Sequence, residues 1–229
     1  MTSAQSSRQN GGNPVFDLDI PWLLRNIPYI WELTQNHLVL SFVPLGIGLL
    51  LALPIGILGA YWNPLKPLIQ VLSSTFFAIP SLAFFIFLLP FTGLNPLTAI
   101  LPLGIYAGSL LVRNVVEGIQ GTSDAVRQAA TAMGYRKFRR LLTIELPNAL
   151  PIILGGLRVT SVSTISMASV ASVLGISSLG DLFIDGAQRF FATPILVGIV
   201  LTLLLAAISD LLLVVLQRTL TPWAAGAKR

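Results

Sequence analysis

The sequence predicts an all-α, polytopic membrane protein with five transmembrane helices. Two observations predict it: 54% of the residues are apolar and only 10% charged, and the charges leave long stretches of chain untouched. An ordinary soluble domain carries roughly a quarter of its residues as charges. A helix needs about 20 apolar residues to cross a hydrocarbon core about 30 Å thick, and Leu38 to Tyr61 meets that need with no interior charge. Between Lys66 and Arg113 there is no charged residue at all, roughly twice what one span needs at 1.5 Å per residue. That stretch must fold back on itself. The turn chemistry of Pro90-Phe91-Thr92-Gly93-Leu94-Asn95-Pro96 marks where, giving a second span over Leu68 to Leu89 and a third over Leu97 to Val116. A fourth runs from Pro151 to Leu174 and a fifth from Pro194 to Leu216.

Orientation follows from the basic residues, which gather on the cytoplasmic side. If the loop after the third span is cytoplasmic, that side receives Lys66, Arg113, Arg127, Arg136, Lys137, Arg139, Arg140, Arg218, Lys228 and Arg229. The other side has only Arg8, Arg25 and Arg189, and Arg158 lies within a span. The N-terminus is then outside and the C-terminus inside, as an odd number of crossings requires. The reading divides the chain into an extracytoplasmic arm (1–37), a membrane domain (38–221) with a basic loop (117–147), and a cytoplasmic tail (222–229). Within the arm, Phe16 to Gln35 sets Trp22, Tyr29 and Trp31 among Leu and Ile, a composition that suits an interfacial helix on the outer face or an extension of the first span.

Composition also excludes function classes. Cysteine is absent and His37 is the single histidine, so there is no disulfide framework, thiolate metal site or zinc cluster. No GxxxxGK[ST] phosphate loop occurs, so the chain does not cradle ATP in the usual nest of backbone N–H groups. The net charge of +5 sits beside apolar spans, where it sets orientation rather than binding nucleic acid. A membrane enzyme would need a catalytic cluster, and none is visible. A passive channel or structural subunit stays compatible with the spans.

The loop from Arg113 to Pro147 mixes its basic residues with small and apolar ones, which a merely solvated loop does not need. Asp124 is placed to cap a short helix through Gln128, Ala129, Ala130 and Met133, with Gly134 ending it. A second basic helix, Lys137 to Leu146, leads to Pro147. Gln128-Ala129-Ala130, three residues, Gly134, nine residues and Ile144-Glu145-Leu146-Pro147 resemble the EAA loop of ATP-binding-cassette (ABC) importer permeases, with Gln128 in place of the usual Glu. The resemblance implies a type I importer permease fold and a cytoplasmic coupling helix that sits in a groove of a nucleotide-binding subunit. Gln128, Ala129, Ala130, Met133, Gly134, Ile144, Leu146 and Pro147 are then the ATPase-coupling residues.

Ile79-Pro80-Ser81-Leu82-Ala83, Tyr106, Arg113-Asn114 and Leu150-Pro151 through Gly156 and Arg158 resemble the osmoprotectant subfamily, importers of glycine betaine, carnitine, choline or proline betaine. Ser177-Ser178-Leu179-Gly180 stands where that subfamily more often has Gly-Gly-Leu-Gly. Methionine importers have similar five-span permeases and the same loop. The resemblance implies a separate ATPase that holds ATP and Mg, an extracytoplasmic substrate-binding protein and a second permease, identical or paralogous, in a bacterial plasma membrane. It implies no cofactor on this chain.

Inside the spans, Thr160, Ser161, Ser163, Thr164, Ser166, Ser169 and Ser172 interleave with Ala168 and Ala171. Small hydroxyl residues either pack helices closely or line a wet path; Thr164, Ala168 and Ser172 share one face. Phe76, Phe77 and Tyr106 supply aromatic rings that could hold a quaternary ammonium group in passing. These residues with Thr160 and Ser161 form the candidate translocation path. Arg158 and Asp210 are ionisable groups within spans, where such groups face a partner or water; they are expected to pair across the bundle, with snorkelling of Arg158 to the interface as the alternative. Pro44, Pro54 and Pro80, with Gly46, Gly48 and Gly56, mark kinks for gating or sites of close packing. His37 is placed as an interfacial residue at the outer end of the first span. Asp181, Asp185 and Arg189 form an outer loop open to a binding protein or to water.

Overall fold

The computed structural model describes residues 18–62 and 64–223. Of the proposed arm and tail, residues 1–17 and 224–229 lie outside the described residues. Every regular element described is helical: α1 (Ile20–Arg25), α2 (Ile27–Tyr61), α3 (Leu65–Ala78), α4 (Ser81–Thr92), α5 (Leu97–Gln120), α6 (Asp124–Ala132), α7 (Lys137–Arg140), α8 (Leu146–Ala168), α9 (Gly180–Gln188) and α10 (Ala192–Leu220). A π-helical turn (Leu141–Glu145) precedes α8, and a 3-10 segment (Ser169–Leu174) follows it. Four continuous helical stretches are long and apolar enough to cross a membrane, and α3 with α4 makes a fifth when the bent pair is taken as one span.

The first span starts at Ile27, well before Leu38, and two of the polar residues ahead of its apolar run make contacts inside the bundle. Thr34 Oγ1 donates to Ile30 O at 2.7 Å. His37 is buried rather than interfacial, and its Nε2 donates to Ile165 O at 3.0 Å. That carbonyl is free because the Ser169 amide, where α8 tightens into the 3-10 segment, bonds to Ser166 instead. α1 stands apart from α2, its cap formed by Asp19 accepting from Trp22 N at 2.9 Å. It exposes Ile20 and Leu24.

The second span is not one straight helix. α3 and α4 meet at 90° at Ile79-Pro80, where the proline lacks an N–H and forces the residue before it out of the helical region. Ile79 is accordingly extended, with ψ 128°. Its carbonyl accepts from Tyr106 Oη at 2.6 Å, which ties the bend to α5.

α5 is the central helix, in contact with α2, α3, α4 and α8. Its seam with α2 is built from small residues: a Cβ on Gly48 would stand 2.5 Å from Ala107 Cβ, and one on Gly56 2.5 Å from Val115 Cβ. Backbones at this spacing gain dispersion contact without a hydrophobic driving force from lipid. The glycines of the first span are therefore packing positions at Gly48 and Gly56, whereas Gly46 faces open space. α8 lies against the other side of α5, and α10 packs on α8 and α9.

The two ends of the bundle are distinct. Asp19 N donates to Thr193 Oγ1 at 3.0 Å and Trp22 meets Phe191 edge-on, so α1 sits at the end formed by α9 and the start of α10. Gln217 Nε2 donates to Pro151 O at 3.1 Å, which places the last turns of α10 at the opposite end, beside the start of α8. The described chain thus begins at one end and finishes at the other, as five crossings require.

Candidate functional site

α6 is defined at both ends by side-chain and backbone caps. Ser123, not Asp124, is its cap, with Ser123 Oγ accepting from Val126 N at 3.4 Å; Asp124 is the first helical residue. At the other end Tyr135 N bonds to Ala130 O and Gly134 N to Thr131 O, each at 3.0 Å, a Schellman motif that needs a left-handed residue after the helix. Gly134 supplies it at φ 84°. The helix turns Val126, Ala129 and Met133, spaced by three and four residues, to the exterior, where all three are exposed. Phe138 and Leu142 are exposed beyond it, among Arg136, Lys137 and Arg139. Gln128 is exposed as well, and with Asp124, Arg127, Thr131, Ala132 and Arg140 it lines an open recess of about 340 Å³. Ala130 faces the chain and is buried, which leaves Ala129 as the exposed alanine of the Gln128-Ala129-Ala130 run. Phe138 carries no motif, and only its exposure brings it to notice.

The expected second helix of this loop does not end at Leu146. α7, the π-helical turn and α8 run on as one helical stretch, Lys137–Leu174. Pro147 has no N–H to offer and its ring crowds the carbonyl four residues back, and the wide turn before it relieves that conflict: Leu146 N bonds back to Leu141 O. Ile144 is half-buried in that turn, while Leu146 and Leu141 join the apolar cluster between α2, α5 and α8.

Glu145, in the same turn, is the centre of a charge cluster. Its side chain is 0% exposed, with Arg140 Nε at 2.8 Å and Arg127 Nε at 3.8 Å from Oε1. Tyr61, the last residue of α2, donates its hydroxyl to Oε2. Arg140 also reaches Thr131 Oγ1 at 3.0 Å and Arg127 reaches Ile119 O at 2.8 Å, so both arginines grip α6 or the end of α5 while facing the same carboxylate. Alongside, Lys66 donates to Gln120 Oε1 at 2.6 Å and Gln120 to Ala60 O at 3.3 Å. Glu145 is legible in the sequence as one of four motif residues. Nothing local signals its contact with Tyr61, 84 positions away.

Farther along the spans, Arg158 and Asp210 pair as expected, in a bidentate geometry of 2.7 and 2.9 Å that joins α8 to α10. Their side chains remain 35% and 37% exposed, and with Gly155, Val159, Val162 and Ser163 they border an open recess of about 380 Å³. Thr160, Ser161, Thr164, Ala168 and Ser172 are all buried within the chain. Thr160 donates to Gly156 O and Thr164 to Thr160 O, each at 2.8 Å, while Ser161 meets Ser209 of α10 and Ser172 meets Ser178. These contacts are those of close packing. The open face of α8 carries Val159, Val162, Ser163 and Ser166 instead. Tyr106 is buried between Phe77 and Phe84, edge-on to both at 6.3 and 5.8 Å. Phe76 and Phe77 are partly exposed, and Phe76 lines an apolar recess of about 280 Å³ with Leu51, Leu72 and Val112. At the far end, Arg189 pairs with Asp185 at 2.7 Å.

The fold and sequence match known transport proteins. A chain of the MetNI methionine ABC transporter, solved in inward-facing conformations, superposes with a TM-score of 0.77 at 20% identity over 89% of this chain and 100% of that one; this likeness concerns the fold. The carnitine transport permease protein OpuCB of Listeria monocytogenes is 31% identical over 191 residues, 83% of this chain and 88% of that protein. The glycine betaine/carnitine/choline transport system permease protein OpuCD of Bacillus subtilis is 32% identical over 199 residues, 86% and 87%. The osmoprotectant import permease protein OsmW of Salmonella typhimurium is 30% identical over 208 residues, 89% and 97%. With residues 52–222 matching the family model as well, the helices, the basic loop and the relatives agree: the chain is a multi-pass membrane protein belonging to the binding-protein-dependent transport system inner membrane components, the permeases of ABC importers.

Proposed function

We propose that the chain is the permease subunit of an ATP-driven importer that moves an osmoprotectant, such as glycine betaine, choline, carnitine or proline betaine, by alternating access. The observation that carries this is the outer face of α6: Val126, Ala129 and Met133 stand exposed on a basic loop, and an apolar strip in such a setting calls for a covering partner. A groove on a nucleotide-binding subunit is that cover. Gln128, Ala129, Met133 and Gly134 make the docking contact, and Ile144, Leu146 and Pro147 join it to α8. ATP and Mg belong to the partner ATPase, and no cofactor belongs to this chain. The choice of osmoprotectants rests on the relatives, whose names specify carnitine, choline and glycine betaine.

In this reading the α6 end faces the bacterial cytoplasm and the α9 end the outside, where a binding protein delivers solute. The N-terminus is then outside and the C-terminus inside. A second permease, identical or paralogous, lies across the open face of α8, and the path runs between the two. Thr160, Ser161, Thr164, Ala168 and Ser172 pack the helix behind that face, with Phe76, Phe77 and Tyr106 at the bent second span. ATP-driven closure of two ATPase subunits moves the α6 helices and shifts the population between inward- and outward-facing states.

Bulky charged replacements at the docking contact test this. Ala129→Glu and Gly134→Glu are expected to lose co-purification with the ATPase and to lower uptake of labelled glycine betaine by about tenfold or more, as loss of a central interface contact does. An assembled complex with full uptake would overturn the docking role. Competition for uptake among glycine betaine, carnitine, choline and methionine tests the cargo; selective uptake of methionine would overturn the osmoprotectant assignment.

A further inference from the structure

The docking helix α6 is not stiffly continuous with any span. Gly121 precedes it and Gly134 follows it, and of its own side chains only Ala130 is fully enclosed. Helical continuity therefore does not carry its motion into the membrane. Side chains do, and they converge on one group. Arg127 on α6 and Arg140, which holds Thr131 of α6 at 3.0 Å, both face the carboxylate of Glu145. Glu145 stands at the root of α8, and its second oxygen receives the hydroxyl of Tyr61 at the end of α2.

Resting on the reading of α6 as the ATPase-docking helix, we propose that Glu145 is a positioning residue that transmits displacement of α6 to the first and fourth spans together, through its two arginines on one side and Tyr61 on the other. The buried carboxylate is held by a charge-assisted hydrogen bond from Arg140 at 2.8 Å, with the Arg127 guanidinium farther off at 3.8 Å, so the feet of α2 and α8 cannot move independently while the cluster is closed. Neutralising the arginines would need the carboxylate alone. The Tyr61 contact adds a link to α2 that charge balance does not require, and that link is the part a merely structural cluster would lack.

The full complex of permease, ATPase and binding protein, reconstituted in proteoliposomes, provides the test, with labelled glycine betaine, carnitine and choline as probes. Tyr61→Phe removes one hydroxyl and leaves the ion pairs intact. The expected result is an assembled complex that hydrolyses ATP close to the unaltered rate while uptake per ATP falls about fivefold, the effect of roughly 1 kcal/mol of lost coupling. Glu145→Gln is expected to lower uptake per ATP further, and Arg140→Gln/Glu145→Gln, which removes the nearer of the two cations left facing the neutral amide, to stay assembled without restoring that ratio. Unchanged uptake per ATP in Tyr61→Phe, or uptake and hydrolysis falling in proportion, would overturn the proposal. So would loss of assembly in Tyr61→Phe, since the cluster would then only build the docking surface. Failure of the docking reading itself shows separately, as intact co-purification and full uptake in Ala129→Glu.

Discussion

Glu145 at the α6 end and the Arg158–Asp210 pair farther along α8 are both carboxylate–guanidinium sites, yet the first is sealed by its own chain and the second stays about a third exposed. The sealed carboxylate of Glu145 finds its partners within the chain, Arg140 at 2.8 Å, the Tyr61 hydroxyl and, farther off at 3.8 Å, Arg127. The open pair has its bidentate geometry but only a partial wall. Hydrocarbon is a poor neighbour for such a pair, whereas a water-filled path or the second permease proposed above is a good one. The difference separates a site that one chain completes by itself from one that, in the proposed assembly, a second subunit or a wet path would complete.

The largest effect expected from breaking this comparison is Glu145→Ala. It leaves two arginines without their buried partner, a loss of about 3–5 kcal/mol, and should appear as a marked fall in thermal stability of the isolated permease in detergent together with loss of uptake. Next comes charge reversal at the open pair. Arg158→Asp or Asp210→Arg alone should lower uptake about tenfold or more, as expected for an unpaired charge inside a span, and the double reversal should restore it. If the double variant is as inactive as the singles, the pair does not act as a pair. The smallest effect is Ser161→Ala, which removes an enclosed, neutral contact with Ser209 between the same two helices. It should cost about 1 kcal/mol, the net worth of one hydrogen bond, read as a small shift in thermal stability with uptake retained.

Much of the architecture was legible because apolar runs, charge gaps and turn residues are local signals. The turn before α5 and the end of α6 at Gly134 stand where Pro, Asn and Gly place them. The Arg158–Asp210 pair was legible because charge within a span demands an explanation. What the sequence hid was tertiary. His37 reads as interfacial until the carbonyl freed at Ile165 is seen to take its N–H. Pro80 marks a kink in the second span from the sequence, but not its size, a turn of 90° between α3 and α4. The hydroxyls of α8 read as packing or path in the sequence, and the structure buries Thr160, Ser161 and Thr164 while leaving Ser163 and Ser166 more open. For His37 and Ser161 the deciding partner lies far along the chain, where periodicity and spacing carry no information.

The unbroken stretch from Lys137 to Leu174 has a mechanical consequence. It spans 38 residues, roughly 55 Å at helical rise, and its lower tip lies next to the docking helix while its upper tip adjoins α9. Its joints lie near its two ends, in the π-helical turn at Leu141–Glu145 and the 3-10 segment at Ser169–Leu174, so α8 between them acts as a lever in the proposed importer: a tilt of a few degrees at its base would sweep its top sideways by a few ångströms and carry a push on the α6 end to the α9 end.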